Sequence, residues 1–218
     1  MPEISLKEIR ETFYKCRDFE ISNLWQRSIF LTAFLLLCFS GYGIIAKSIL
    51  ENSEKISLTY HIIAAFISIV GMIFSILWIK MGKASKAWYE FYEHQICAIE
   101  KNPKLGVYKS YRMGNGAYNL DISKIDSNIF TTNAGIYSPS KINILIGHVC
   151  MAIWTIILLI HICIIIRNII ILVFCINNIG IINFILFILF IIGFICIIIF
   201  MKKRLCVKSS FLSKFISK

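Results

Sequence analysis

The chain has 218 residues, of which 58% are hydrophobic and only 16% charged, and its mean hydropathy is +0.76. Soluble domains average about 45–50% apolar residues, so these values exclude an ordinary soluble protein. The 23 Lys and Arg residues exceed the 12 Asp and Glu residues, which gives a net charge of +11. The long uncharged segments predict an all-α integral membrane protein with four transmembrane helices, because the alternating pattern of a membrane barrel is missing.

The first two apolar segments each have the length of a membrane span. Nineteen uncharged residues lie at 28–46 and 24 at 56–79, and a hydrocarbon core of about 30 Å needs about 20 helical residues. A Ser-x-x-Glu capping box at Ser5 predicts the start of a helix that continues into the first span. The helix of the second span meets no proline before Pro103. We expect both helices to extend into the cytoplasm as an antiparallel stalk.

Apolar stripes on these two cytoplasmic helices are expected to close on each other, so that the stalk either simply packs or transmits a signal to the membrane. The stripes follow helical spacing. They comprise Leu6, Ile9, Phe13 and Cys16 on the first helix, and Trp88, Phe91, Tyr92, Gln95 and Ile99 on the second.

The second half of the chain holds two further spans. From residue 142 to residue 201 the only formal charge is Arg167, and 60 residues in one helix would cross about three bilayers. The run must therefore turn, and residues 177–180 (Asn-Asn-Ile-Gly) supply the turn signal. Ser138 as N-cap and Pro139 as the first helical residue predict the start of the third membrane helix.

Basic residues decide the orientation. They concentrate before the first span, between the second and third, and after the fourth, so the positive-inside rule places both termini in the cytoplasm of a multi-pass inner-membrane protein. The predicted segments are a cytoplasmic amphipathic helix at 1–27, a first span at 28–50, an outer loop at 51–57, a second span at 58–79, a cytoplasmic helix at 80–102, a polar cytoplasmic loop at 103–140, a third span at 141–175, an outer turn at 176–180, a fourth span at 181–201 and a basic cytoplasmic tail at 202–218.

The second span carries a face of small and polar residues at three- and four-residue steps. Small residues let helix backbones approach closely in lipid, so we interpret this packing seam as a helix interface within the bundle or between subunits. It comprises His61, Ala64, Ser68, Gly71, Ser75, Trp78 and Gly82.

The third span carries a second, polar seam that recurs every seven residues. Polar and charged groups within a span usually face protein or water, so this seam either packs in the bundle or lines a pore or proton path. Arg167 lies beside the seam and could also extend to the outer surface. The candidate residues are Gly147, Trp154, His161, Arg167 and Asn168, with His161 expected near the middle of the membrane.

No motif indicates an enzyme. The sequence lacks a Ser-His-Asp set, an HExxH motif and paired carboxylates with a supporting site, so we expect no catalytic residue, no cofactor and no metal site. Glu90, His94 and Cys97 share a helix face, and we interpret them as surface residues. The cysteines lie in spans or face the reducing cytoplasm, so we expect no disulfide.

The tail after the fourth span has six bases and no acid. Its position directly behind a membrane span favours contact with anionic lipid headgroups over nucleic acid. The bases are Lys202, Lys203, Arg204, Lys208, Lys214 and Lys218.

Two membrane helices followed at once by a long cytoplasmic helix (LWIKMGKASKAWYEFYEHQICAIEK) resemble the SLATT-type membrane effectors of bacterial antiphage systems, over about residues 5–101. The stretch IYSPSKINILIGHVCMAIW resembles part of small uncharacterised bacterial membrane proteins. The first resemblance implies a homo-oligomer that permeabilises the inner membrane when a cytoplasmic sensor triggers it.

Two functional hypotheses follow. The first is a gated, membrane-permeabilising effector that uses the His161 seam as its pore and the stalk as its gate. The second is a non-conducting anchor or sensor that docks a cytoplasmic partner through the stalk and central loop. Polar seams turned inward, without a polar lumen, would favour the second.

The predicted topology is testable by cysteine accessibility or reporter fusions in cells. Residues 51–54 and 177–180 should be labelled from outside, and residue 115 only after the membrane is opened, because bases flank the central segment. Labelling of residue 115 from outside would contradict the four-span topology.

Overall fold

The computed structural model describes residues 4–51, 58–113 and 137–174, together with residues 185, 188–193, 195–197 and 199. Three long helices dominate: α1 (Leu6–Glu51), α2 (Leu58–Glu100) and α3 (Pro139–Phe174). Each is long and apolar enough to cross a membrane, and a shorter apolar helix lies at Ile188–Ile197. Two 3-10 turns, Pro103–Leu105 and Lys109–Tyr111, follow α2. None of these residues forms a strand, so the all-α membrane fold is confirmed.

Both predicted helix starts are present. The Ser5 backbone N–H donates to Glu8 Oε2 at 2.9 Å, and the Glu8 N–H donates to Ser5 Oγ at 3.2 Å, which is the reciprocal geometry of a capping box. The bonds from Ser5 stabilise the carboxylate and lower the pKa of Glu8. The third helix begins at Pro139, and the Ile142 N–H donates to the Ser138 carbonyl at 3.0 Å.

The described chain divides into two compact units. The polar unit contains residues 4–28, 80–113 and 137–144. The apolar unit contains residues 29–51, 58–79 and 145–174 with the short helix. As expected, α1 and α2 each run unbroken from polar into apolar sequence.

Within the polar unit, α1 and α2 form an antiparallel pair. Arg10 Nε lies 2.7 Å from Glu100 Oε1, and further along α1 Arg17 Nε lies 3.0 Å from Glu93 Oε1. Arg27 Nη1 then donates to Ser85 Oγ at 3.1 Å. Partners on α2 therefore move toward its start as α1 proceeds, which is the antiparallel register expected for the two helices.

The carboxylate of Glu100 is the most deeply buried charge of this unit. Its side chain has no exposed surface and receives hydrogen bonds from Arg10 Nε and from the Tyr14 hydroxyl at 3.0 Å. The backbone N–H of Met113 donates to the second carboxylate oxygen. Burial and the bond to Glu100 raise the pKa of Tyr14, so this hydroxyl remains a donor. One carboxylate thus joins α1, the end of α2 and the segment that follows it.

The first turn of α3 is also fixed in the polar unit. The Tyr89 hydroxyl and Ser140 Oγ lie 2.6 Å apart, and burial raises the pKa of Tyr89. Asn143 Nδ2 donates to Ser28 Oγ at 2.7 Å, and both residues are buried. Polar bonds to both α1 and α2 therefore position the start of α3.

The expected closure of the apolar stripes is only partly correct. Phe13 and Tyr92 meet, with ring centroids 6.1 Å apart, but Trp88 is 54% exposed and Phe91 46% exposed. The ion pairs of Arg10 and Arg17 set the rotation of α2, because they turn its acidic residues toward α1. The two aromatic side chains consequently point away from α1.

Removing the Glu100 carboxylate should destabilise the polar unit. Glu100→Ala leaves the Tyr14 hydroxyl and the Met113 N–H without their acceptor, and such a loss costs about 1–3 kcal/mol, so the variant should lower the melting temperature measured by circular dichroism in detergent. Glu90→Ala is the matched control, because Glu90 is half exposed and its pair with Lys86 is worth less than about 0.5 kcal/mol. Equal melting temperatures for both variants would contradict the anchoring role of Glu100.

Candidate functional site: a histidine pair between the apolar helices

The packing seam of α2 lies against α3 of the same chain. Ala64, Ser68 and Ser75 are buried, and the two hydroxyls bond carbonyls of their own helix, Ser68 to Ala64 at 2.7 Å and Ser75 to Gly71 at 2.8 Å. Both hydroxyls therefore have a hydrogen-bond partner within α2, and the small side chains leave this side of the helix flat. This geometry lets a second backbone approach closely.

Gly71 makes the closest approach in the apolar unit. A Cβ placed on Gly71 would lie 2.6 Å from Nε1 of Trp154 and nearer still to two of its ring carbons. Trp154 has no exposed surface and stacks on Phe39 of α1 with centroids 4.4 Å apart. One indole therefore packs against both α1 and α2, in space that only glycine leaves free.

Further contacts extend this interface in both units. In the apolar unit, a Cβ on Gly147 would lie 2.9 Å from Ile79 Cγ1 and 3.3 Å from the buried Trp78. In the polar unit, a Cβ on Gly82 would lie 2.9 Å from Ile144 Cγ1. Close glycine contacts thus occur on both helices.

The two seam histidines form a pair. Nδ1 of His61 lies 3.0 Å from Nδ1 of His161, and only 5% and 4% of the two residues are exposed. The hydroxyl of Tyr42 on α1 lies 3.3 Å from Nε2 of His161. The three side chains make a continuous hydrogen-bonded chain across α1, α3 and α2.

This chain can hold a limited number of protons. Two ring nitrogens that face each other at 3.0 Å share one proton, with one nitrogen donating and the other accepting. If both rings were imidazolium, two N–H donors and two positive charges would face each other, and the hydrogen bond would be lost. The pair is therefore compatible with a total charge of zero or one, and a second charge favours separation of α2 from α3.

His161 lies opposite the first turn of α2, where His61 is found. The reason is register: Gly147 faces Ile79 and Trp154 faces Gly71, and a further heptad along α3 brings His161 to His61. The same antiparallel register in the sequence could have predicted the pair.

Tyr42 and Phe39 are site residues that sequence reasoning missed. Both lie on α1, in a span without a clear polar face, so no pattern distinguished them. Tyr42 also meets Trp154 edge to face, with centroids 6.2 Å apart. The two seams thus account for the residues that α2 and α3 contribute around the histidine pair, and α1 contributes Tyr42 and Phe39.

The remaining predicted residues are not brought into the pair. Arg167 and Asn168 are partly exposed, and Arg167 Nε has no hydrogen-bond partner among the residues that the structure describes. Glu90, His94 and Cys97 form no metal-binding group, and the described part of the chain holds no such group of three or more ligands. The bases of the tail, 202–218, lie outside the described residues.

A substitution at Gly71 should disrupt the packing around Trp154. Gly71→Leu forces the indole away, and even Gly71→Ala should cost about 1–3 kcal/mol through overpacking. Gly43→Ala is the matched control in α1, because nothing lies within 4 Å of its added Cβ. Thermal unfolding in mild detergent, followed by tryptophan fluorescence, measures both. A Gly71→Leu variant as stable as Gly43→Ala would show that this contact is absent in solution.

Comparison with known proteins identifies the family. A sequence model of the octameric membrane protein family (8xMP) matches residues 7–163, more than two thirds of the chain, including the packing seam of α2 and the histidine pair. No curated protein and no solved structure gives a significant match. The chain therefore belongs to the octameric membrane protein family and is an oligomeric membrane protein.

Proposed function

We propose that this protein is a gated, membrane-permeabilising effector of a defence-type system, acting as a homo-oligomer in the inner membrane with both termini in the cytoplasm. The observation that carries the proposal is the histidine pair His61–His161, buried between two membrane helices at an Nδ1–Nδ1 distance of 3.0 Å. The proposal involves no catalytic step and no cofactor. It agrees with the resemblance of residues 5–101 to SLATT-type effectors.

In this proposal the histidine pair holds α2 and α3 together while the path through the membrane is closed. With one shared proton it joins α2 to α3, and Tyr42 orients His161 from α1. A second positive charge on the pair replaces the hydrogen bond with repulsion, so the two helices separate and the packed seams around Trp154 open. His161 therefore controls the path rather than lining it in the closed state. The basic tail, from Lys202 to Lys218, holds anionic headgroups of the inner leaflet.

A non-conducting anchor or sensor is the second candidate function. It is favoured by the inward packing of Gly71, Trp154 and both histidines within one chain. A cytoplasmic sensor or effector protein would then dock on the stalk and central loop. The two functions differ in one observable, since only the effector moves ions.

Ion flux from liposomes tests the effector. The purified oligomer should release a fluorescent dye or potassium more rapidly as the pH falls from about 8 to about 5, the range in which histidine gains charge. His161→Leu should remove most of this pH dependence, because it leaves a single titratable ring. His94→Leu, which removes an exposed histidine of the polar unit, should retain it.

In cells, wild-type expression under its natural trigger should depolarise the membrane, as reported by a voltage-sensitive dye, and His161→Leu should weaken the effect. A wild-type protein that never conducts, with or without candidate partners, would leave the anchor function. Equal conduction by wild type and His161→Leu at every pH would keep the pore hypothesis but show that the histidine pair does not control opening.

A further inference from the structure

One face of α2 in the polar unit carries exposed apolar side chains. Trp88 and Phe91 are about half exposed, and Ala84, Ala87 and Ala98 are exposed as well. At about 100° per residue the five positions fall within about 100° of one another and therefore share one side of the helix. We name these residues the aromatic face.

The aromatic face is not used by the α1–α2 pair. The acidic α2 residues that bond α1, Glu93 and Glu100, lie about half a turn round the helix, and Ser85, which bonds Arg27, lies about a quarter turn away. Trp88 and Phe91 instead contact each other edge to face, with centroids 6.1 Å apart. The face is thus an ordered aromatic surface that points away from the helix pair.

Lipid does not suit this surface. The stretch of α2 that carries it also holds charged residues about every third position, and charges within hydrocarbon are strongly disfavoured. In water, however, a Trp and a Phe side by side expose a sizeable apolar area. A protein surface with matching polar groups satisfies both requirements. The charges are Lys80, Lys83, Lys86, Glu90, Glu93 and Glu100.

The outer side of α1 has the complementary character. Glu8, Glu11 and Asp18 are exposed there together with Phe19, which is 64% exposed. Lys7 and Lys15 are exposed bases of the same stretch, and Arg17 pairs with Asp18 at 2.9 Å. On α2, the exposed Lys80 and Lys83 border the aromatic face, and Glu90 is neutralised by Lys86 at 2.6 Å. The outer side of α1 thus presents Phe19 with the carboxylates of Glu8 and Glu11, and Lys80 and Lys83 border the aromatic face of α2.

We infer that the aromatic face of α2 in one copy packs against the Glu8–Ser22 side of α1 in the next copy, so that Trp88 and Phe91 cover Phe19. The occupant is a second copy of this chain because the family is octameric and because one chain carries both complementary faces. The two faces differ, so the contact is head-to-tail. Repeated around an axis, such a contact closes into a ring.

Photocrosslinking in the otherwise wild-type chain tests the neighbour directly. A benzophenone amino acid placed at Trp88 should yield covalent dimers in membranes, and mass spectrometry should map the adduct to the peptide around Phe19 of another copy. The same probe at Tyr108, which is 77% exposed outside both faces, is the control and should yield few dimers. Adducts from position 88 to residues 114–136 of the same chain, or to a different protein, would overturn the inference.

Substitutions test how much this contact stabilises the octamer. Trp88→Glu combined with Phe91→Glu should shift the octamer-to-monomer midpoint in mild detergent by about tenfold or more in protein concentration, with unchanged helical circular dichroism. Tyr108→Glu should not shift it. Glu11→Lys should weaken assembly, and a second change, Lys83→Glu, should restore it. An octamer unaffected by the double Glu substitution would overturn the inference whether or not the protein conducts ions.

Discussion

The contact between Trp154 and Gly71 fixes the register on which the apolar unit depends. Helix pairs in lipid gain little from the hydrophobic effect, so close van der Waals contact at small residues holds them together. The indole fills the space left by the missing side chain and at the same time stacks on Phe39, which brings α1, α2 and α3 to one point. With this contact in place, Gly147 meets Ile79 and His161 meets His61.

The histidine pair is a consequence of that register. Since α2 and α3 run antiparallel, a heptad beyond Trp154 on one helix meets the residue about ten positions before Gly71 on the other. His161 and His61 occupy those two places. Close packing at the small residues thus holds α2 and α3 together, whereas the strength of the hydrogen bond between the histidines depends on how many protons the two rings carry. This combination places a titratable hydrogen bond inside an interface that is otherwise closely packed.

The polar unit uses a different principle. There, ion pairs and hydrogen bonds between side chains join α1 to α2, and one buried carboxylate with three donors also joins the segment that follows α2. Glu100 is surrounded by Arg10, Tyr14 and Met113, each of which satisfies part of its hydrogen-bonding capacity. These bonds also set the rotation of α2 and thereby decide which of its residues remain exposed. The aromatic surface of Trp88 and Phe91 is a result of that rotation.

Composition and spacing alone determined that this is an all-α membrane protein, that two helices continue from apolar into polar sequence, and that helices begin at Ser5 and Ser138. These features are local: they depend on hydropathy, capping and the absence of breakers. The sequence also identified both seams by their period. It did not determine that His61 and His161 meet, that Tyr42 joins them, or that Trp88 and Phe91 point outward. Those features depend on the register and rotation of helices distant in sequence, which side-chain packing at Gly71 and ion pairing at Glu100 decide only in the folded chain.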